Sequence, residues 1–264
     1  MQKPFITSLS NALIKQARAL RQKKARLETG TFLVEGIHHV GQAMEAGWDI
    51  ETILYAPDLL TSRYGRDVIA TLHAKAQPVS SQVMESLADK DNPQGMLAIV
   101  RQRQVAGFSR FAAQIQRAVA LVFPQDPGNV GTILRTLDAV KADALFLLDG
   151  GVDPYHPTVV RSSMGTIFWT PIMQASFQDF IAWAHDENCQ LIATSARGDV
   201  DYKTLVPQIP WILVLGNEQK GLSTEQTNAC DVAVSIPMRG RVSSLNLAVA
   251  AGVLLYHFTH MVPE

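Results

Sequence analysis

Three segments bring polar and turn-forming residues directly after apolar runs. They are Asp126–Arg135 (DPGNVGTILR), Leu215–Ser223 (LGNEQKGLS) and Ile236–Asn246 (IPMRGRVSSLN). In the first, Asp126, Pro127 and Gly128 are turn chemistry and Asn129 is placed to cap the helix that follows. Arg135 lies six residues on, nearly two helical turns, which predicts that the two side chains point roughly the same way. A planar guanidinium there can meet phosphate or carboxylate; the plainer reading is a cap plus a surface ion pair. In the second, Gly216 and Gly221 flank a polar tip, Asn217–Lys220, and a strand ending in glycine lets a ligand approach the backbone. The plainer reading is a polar loop before a helix near Leu222. In the third, Ser243, Ser244 and Asn246 bring hydrogen-bonding groups to a helix start, while Arg239 and Arg241 bring charge.

Several chemistries are excluded by what these segments lack. No G-x-G-x-x-G follows a candidate strand, which disfavours a dinucleotide-binding oxidoreductase. Walker A is absent, and so is the G-x-S-x-G nucleophile elbow. Cys189 and Cys230 belong to no CxxC pair and have no histidine cluster, so no metal site is expected, and two buried thiols in a reducing compartment are. No apolar run is long enough for a membrane span or signal peptide, and a cytoplasmic location is expected.

The elements that must position these residues follow from the hydropathy pattern. An apolar fraction of 47% with 18% charge suits a sizeable core, and 264 residues suit two domains. Thr31–Glu35, Ile50–Ala56, a short stretch at Val79 and Gly95–Arg101 read as strands. They alternate with helical segments at 36–46, 59–74 and 81–87, which predicts a small α/β domain. The pattern breaks over 102–116. It restarts with near-continuous apolar runs at 118–123, 144–148, 190–194 and 211–215, as expected for strands buried on both faces of a parallel sheet. Helices are predicted at 130–140, 177–188, 222–228 and 245–260, the last almost without charge. The division expected is 1–103, a linker at 104–116, and 117–264.

The net charge is -1, so any nucleic-acid-binding charge must be local. The most basic stretch is the start of the chain. Lys3, Lys15, Arg18, Arg21, Lys23, Lys24 and Arg26 face one acid, Glu28, and Leu9, Leu13, Ala17 and Leu20 fall at helical spacing. One amphipathic helix with a cationic face is predicted over Ser8–Arg26. A solvated face is the commoner meaning of such a run.

Taken together and in order, N-V-G-T-I-L-R-T (129–136), L-V-L-G-N-E-Q-K-G-L-S (213–223) and I-P-M-R-G-R-V-S-S-L-N-L-A-V-A-A-G-V-L-L-Y (236–256) resemble the three motifs of the SpoU (TrmH-like) family of SPOUT-class RNA 2′-O-ribose methyltransferases. His156–Gly165 resembles a segment between the first two. The resemblance spans roughly 118–260. The early ARALRQKKARLETGTFLVEG more loosely resembles the ribosomal-protein-like α/β accessory domain of two-domain members, which binds RNA. One departure is Lys141, where members commonly have glycine, at the C-terminal end of the first helix.

The resemblance implies a C-terminal α/β domain with a parallel sheet and a deep trefoil knot, a homodimer, and S-adenosylmethionine as cofactor without a metal. It places the cofactor on loop backbone around Gly216, Ile236 and Leu245, with Leu215, Asn217 and Met238 beside them. It makes Arg135 the first catalytic candidate, as base or as stabiliser of developing alkoxide charge. An arginine, with its pKa above about 12, suits the second role better. It gives Asn129 the orientation of Arg135 or the ribose, Glu218 an anchoring pair with Arg135, and Ser244 and Asn246 a hold on substrate or loop. Lys15, Arg18, Arg21, Lys23, Lys24, Arg26, Arg161, Arg239 and Arg241 are then the RNA-binding candidates. Structured ribosomal RNA is favoured over transfer RNA, with a non-catalytic RNA-binding protein on the same fold as the remaining alternative.

Overall fold

The computed structural model describes residues 3–89, 93–103, 115–196, 198 and 200–261. It contains two compact units, Met1–Arg103 with Tyr155–Trp169, and Gln104–Pro154 with Thr170–Glu264. The expected linker at 104–116 lies outside the described residues except for its last two. The expected division differs in one respect, because 155–169 packs with the first unit.

The first unit holds helices α1 (Ala12–Ala19), α2 (Lys23–Thr29), α3 (Ile37–Glu45), α4 (Arg63–Thr71) and α5 (Ser81–Leu87). Its strands are β1 (Thr31–Glu35), β2 (Ile50–Tyr55), β3 (Ala76–Pro78) and β4 (Met96–Arg101), in sheet order β1-β4-β2-β3. Only β2 and β3 pair parallel. The predicted single helix over 8–26 is two. Asn11 caps α1 through a hydrogen bond from the Leu13 N–H, and the chain turns at Leu20–Gln22 before α2. Arg26 makes the break possible: its Nη1 donates to the Leu20 and Arg21 carbonyls at 2.8 and 2.9 Å, groups a helix end would otherwise leave open. The apolar face of α1, Ile14, Ala17 and Leu20, joins Leu33, Leu54, Val83 and Leu97 in the core.

The segment 155–169 belongs here because an aromatic cluster draws it in. The fully buried Phe32 meets Tyr155 at 4.6 Å between ring centroids, and Trp48 meets Phe168 at 5.3 Å and donates its indole N–H to the Phe168 carbonyl. A short helix, called α7 in chain order (Pro157–Ser162), lies in this segment.

The second unit is a seven-stranded, all-parallel sheet. Its strands are β5 (Arg117–Val122), β6 (Ala144–Leu148), β7 (Ile172–Ala175), β8 (Gln190–Thr194), β9 (Val200–Asp201), β10 (Trp211–Leu215) and β11 (Val232–Ser235). The order is β7-β6-β5-β10-β8-β11-β9. All four strands expected here form, and β7, β9 and β11 join them. Helices α6 (Pro127–Ala139), α8 (Phe177–Asp186), α9 (Thr224–Asn228) and α10 (Leu247–Met261) complete it. Ala118, Phe146, Leu191 and Val214 pack on Phe180 and Trp183 of α8. On α10, Ala251, Leu254 and Phe258 are buried, and Phe258 meets Trp211 edge-on.

Two features of this unit position the site. The chain runs outward from β5 through β6 to β7, then returns on the other side, where β10 inserts between β5 and β8. Ligands of open parallel sheets bind outside the carboxyl ends of the strands where the order reverses, here at β5 and β10. The end of α6 is a left-handed turn at Lys141, φ 53°, with the Ala142 N–H bonded to the Leu137 carbonyl and the Lys141 N–H to that of Asp138. The glycine-type stop therefore survives with lysine in place, at a cost of about 1 kcal/mol.

Candidate functional site

Each of the three motif segments leaves the carboxyl end of a strand in the same sheet. After β5, Asp126 caps α6 by accepting the Gly128 N–H at 2.7 Å, and Pro127 opens the helix. The cap is therefore Asp126, not Asn129 as expected. A proline at the first helical position sets that frame, since its missing N–H is one the helix does not use. Asn129 falls one turn inside and is 6% exposed.

After β10, Asn217 closes a tight turn. Its Oδ1 accepts the N–H groups of Gln219 and Lys220, its carbonyl accepts that of Gly221, and its Nδ2 donates to the Phe123 carbonyl at 3.0 Å. Gly216 is required by this closure, because a Cβ there would lie 2.1 Å from the Gly221 carbonyl carbon. The backbone approaching Gly216 is thus its own loop. A capping box of Ser223 and Gln226 then starts α9.

After β11, residues 237–245 make no backbone–backbone hydrogen bond with other described residues. Asn246 ends the loop by capping α10, its Oδ1 accepting from Ala248 and Val249 N–H at 2.9 and 3.3 Å.

A hydrogen-bonded chain joins the three segments. Asn246 Nδ2 donates to Asn129 Oδ1 at 2.9 Å, and Asn129 Nδ2 donates to Glu218 Oε1 at 3.2 Å. Glu218 also accepts the N–H of Gln125 on Oε2 at 3.0 Å and of Asp126 on Oε1 at 3.1 Å. Partial burial raises the Glu218 pKa. The backbone N–H groups of Asp126, Glu218 itself and Gln125, with the Asn129 amide, outweigh it and leave the carboxyl below its ordinary value. Glu218 is thus held as a carboxylate by loop donors. Its expected pair with Arg135 is not formed.

Arg135 is exposed and makes no hydrogen bond or ion pair among the described residues. Six residues advance a helix by about 600°, about 120° short of two turns. Asn129 and Arg135 therefore lie on different sides of α6, one inward and one in solvent, contrary to the expected shared direction. Asn129, Glu218 and Asn246 with Leu245 and Leu247 line an open cleft of about 500 Å³, a size suited to a small-molecule ligand. Ser244, Arg239 and Arg241 are exposed along the same loop, without a hydrogen bond among the described residues.

Among the residues expected to hold a cofactor, Leu215 is 1% exposed and Gly216 is buried, so they offer backbone rather than side chains. Asn217, Ile236 and Met238 are half-buried and Leu245 is exposed. The backbone of 237–245, unbonded to other described backbone, leaves main-chain N–H and C=O groups available to a ligand. Among the described residues no group of three or more His, Cys, Asp or Glu can hold a metal, and no helix is long and apolar enough to cross a membrane.

The sequence reading missed the loop after β8. Sheet order puts β8 between β10 and β11, so Thr194, Ser195 and Gly198 end on the same rim. A Cβ on Gly198 would fall 2.6 Å from the Val234 carbonyl carbon. The signal was available as a Thr-Ser-Ala stretch with a glycine two residues on, after an apolar strand. The N–H donors of Gln125 and Asp126 were also missed, because backbone groups carry no sequence signature. Phe123, with φ 48° and 45% exposure, is a third.

The expected RNA-binding cations of the first unit divide into two sets. Arg26 is 1% exposed and spends its charge on the Leu20 and Arg21 carbonyls just after α1, so it cannot meet a phosphate. Arg21 donates to the Leu87 and Ala88 carbonyls and pairs with Asp89, Arg18 donates to Ser86, and Arg161 pairs with Asp89 at 2.9 Å. Arg161 therefore lies in the first unit, where it and Arg21 share one acid. Lys15, Lys23 and Lys24 are exposed, with Lys24 only loosely paired to Glu28 at 3.8 Å.

Comparison with known proteins agrees with this geometry. The family model described as the SpoU rRNA Methylase family matches residues 116–256, and the MRM3-like substrate binding domain matches residues 11–98. The chain is 31% identical to the 23S rRNA (uridine(2479)-2′-O)-methyltransferase of Streptomyces viridochromogenes, over 93% of this chain and 88% of that one. It is 27% identical to the 23S rRNA (guanosine(2553)-2′-O)-methyltransferase RlmP of Bacillus subtilis, over 96% and 98%. The AdoMet-bound rRNA methyltransferase of Sinorhizobium meliloti superposes with a TM-score of 0.90 at 36% identity, over all of both chains. Three motifs brought to one sheet edge, and relatives matched along nearly their whole length, lead to one conclusion: the chain belongs to the SpoU rRNA methylase family.

Proposed function

We propose that this protein transfers a methyl group from S-adenosylmethionine to a ribose 2′-hydroxyl of structured ribosomal RNA. The observation that carries the reading is the chain Asn246–Asn129–Glu218, which ties the three motifs into one polar cleft. S-adenosylmethionine supplies an electrophilic methyl group on a sulfonium. The backbone of 236–245 and of the Leu215–Asn217 turn would hold it. Asn129 and Asn246 fix the cleft wall beside the ribose, and Ser244 offers a hydroxyl to the substrate. Arg135 carries an exposed guanidinium, without a partner among the described residues, that can bind a phosphate next to the target and stabilise charge developing on the 2′-oxygen. Much of the acceleration would come from holding the two reactants in line.

The 23S rRNA names of the Streptomyces and Bacillus relatives support ribosomal over transfer RNA. The first unit would capture RNA through Lys15, Lys23 and Lys24, with the second unit as the catalytic domain. A homodimer is part of the reading. Val249, Val253 and Tyr256 recur at helical spacing along α10 and are 52%, 36% and 49% exposed, and with Leu245 (36%) just before the helix they make a stripe that suits a second copy. The trefoil knot belongs to it as well, supported by the insertion of β10 between earlier strands and the return of α10 onto α6. Two free cysteines suit a reducing, cytoplasmic setting.

The test is methyl transfer from labelled S-adenosylmethionine to ribosomal and transfer RNA, followed by mapping of 2′-O-methyl positions. Label in one ribosomal RNA position, absent when that nucleotide is 2′-deoxy, is expected. Label in transfer RNA alone would reverse the substrate assignment, and no label in either would defeat the reading.

A further inference from the structure

Phe123 follows β5 directly, where its neighbours Val122 and Pro124 are buried and its own side chain is 45% exposed. Its φ of 48° lies in the left-handed region, which a bulky side chain rarely adopts. The backbone there is fixed from several directions. The Phe123 N–H donates to the Leu148 carbonyl, the Phe123 carbonyl accepts from Asn217 Nδ2, and the Pro124 carbonyl accepts the Val152 N–H. Gly151 presses so closely that a Cβ on it would lie 2.3 Å from the Pro124 oxygen. A glycine at 123 would meet every one of these constraints without strain and would expose no apolar surface. The ring has no stacking contact with another described aromatic residue. Nearly half of the ring is given to solvent at the cost of a strained backbone, and strain kept at a site edge points to use.

The position says what the use is. Asn217, which holds the Phe123 carbonyl, is followed by Glu218, and Gln125, two residues after Phe123, donates its N–H to the same carboxylate. The backbone of Phe123 thus adjoins the cleft, two residues before its lining residue Gln125, and carries an exposed ring there. No Lys or Arg occurs in 121–126 or 149–153, while Gln125, Asp126 and Asp149 are exposed there. A phosphate would be repelled, whereas the flat face of a neutral base can stack. Resting on the RNA-methyltransferase reading above, we propose that Phe123 is a specificity-determining platform on which a nucleobase of the bound RNA stacks, at or beside the target nucleotide.

The test compares Phe123→Gly, Phe123→Trp and Phe123→Leu with the unaltered protein. It uses RNA affinity, S-adenosylmethionine affinity, melting temperature and sedimentation at fixed concentration. For Phe123→Gly, RNA affinity should fall by roughly 5- to 100-fold, the range for loss of one base–aromatic stack. Its melting temperature should be equal or higher, with cofactor affinity within about twofold and sedimentation unchanged. Tryptophan should restore RNA affinity and leucine should not. Unchanged RNA affinity in Phe123→Gly would overturn the proposal. So would equal rescue by leucine, which would make the contact merely apolar. Dissociation of a dimer in Phe123→Gly would assign the ring to a subunit interface instead, and a lowered melting temperature without rescue by tryptophan would assign it to the fold. Since RNA affinity is read without methyl transfer, an inactive wild type would count against the enzymatic reading alone.

Discussion

Asn246 donates its amide N–H to Asn129 at 2.9 Å across 117 positions of sequence, and the direction of that bond is dictated elsewhere. The Asn246 oxygen must face the open N–H groups of Ala248 and Val249 at the start of α10, so its nitrogen must face Asn129. Asn129 then has only its own nitrogen to offer Glu218. A helix cap in the third motif therefore sets the orientation of a side chain in the first and the contacts of a carboxylate in the second.

Asn246→Asp should separate the two roles of that residue. The carboxylate still caps α10, so the melting temperature should move by no more than the equivalent of about 1 kcal/mol. It places an acceptor against the Asn129 oxygen, and turning Asn129 would aim its oxygen at Glu218. Methyl transfer should fall by roughly 100-fold, as when one positioned polar donor is lost. Asn246→Ala should lose both cap and activity. Single-turnover assays and thermal unfolding of both variants check this.

Glu218 gives a pH dependence of defined sign. Its folded pKa lies below the ordinary glutamate value of about 4.3 held in the unfolded chain. Its contribution to stability is therefore complete above that value and is lost as pH falls through the lower, folded one. Between pH 7 and pH 3, Glu218→Gln should show a shallower loss of urea midpoint than the unaltered protein. Parallel curves would mean that the loop donors do not hold the carboxylate.

Arg135→Ala should abolish methyl transfer while S-adenosylmethionine affinity stays within a few-fold. The residue is exposed and unbonded among the described residues, so the change should alter stability by no more than about 0.5 kcal/mol. Calorimetric titration of the cofactor beside activity distinguishes a substrate-side role from a cofactor-side one. Loss of cofactor binding with the fold intact would refute a substrate-side role for Arg135.

The cations of the first unit should respond in opposite ways. Replacing Lys15, Lys23 and Lys24 by Gln should leave the melting temperature unchanged. If each meets a phosphate, it should flatten log affinity against log salt by roughly 0.7 to 0.9 per residue. Arg26→Gln should leave the slope alone and destabilise the protein by about 1–3 kcal/mol, because the Leu20 and Arg21 carbonyls at the end of α1 lose a charged donor. RNA affinity at several salt concentrations with unfolding curves reads both.

Much of this was legible in the residues themselves. Apolar runs such as AVALV and WILVL suit strands buried on both faces, and β5 and β10 are that. The motif segments were legible because turn and cap residues act locally: Pro127, Gly216 and the capping oxygen of Asn246 act within a few positions of themselves. What the sequence left open depends on who stands opposite. Arg26 and Lys24 read alike as basic residues of one amphipathic run. Only the turn at Leu20–Gln22 makes one an internal cap for α1 and leaves the other in solvent. The strands β9 and β11 are two and four residues long and partly exposed, too short to stand out in the hydropathy pattern, and they exist by pairing with neighbours. Asp126 and Asn129 competed for one cap, and the proline between them decided it. Sheet order decided the rest, since strands far apart in sequence become neighbours only when the sheet closes. That closure brings Phe123, Glu218 and Asn246 to one edge, and no local rule of spacing encodes it.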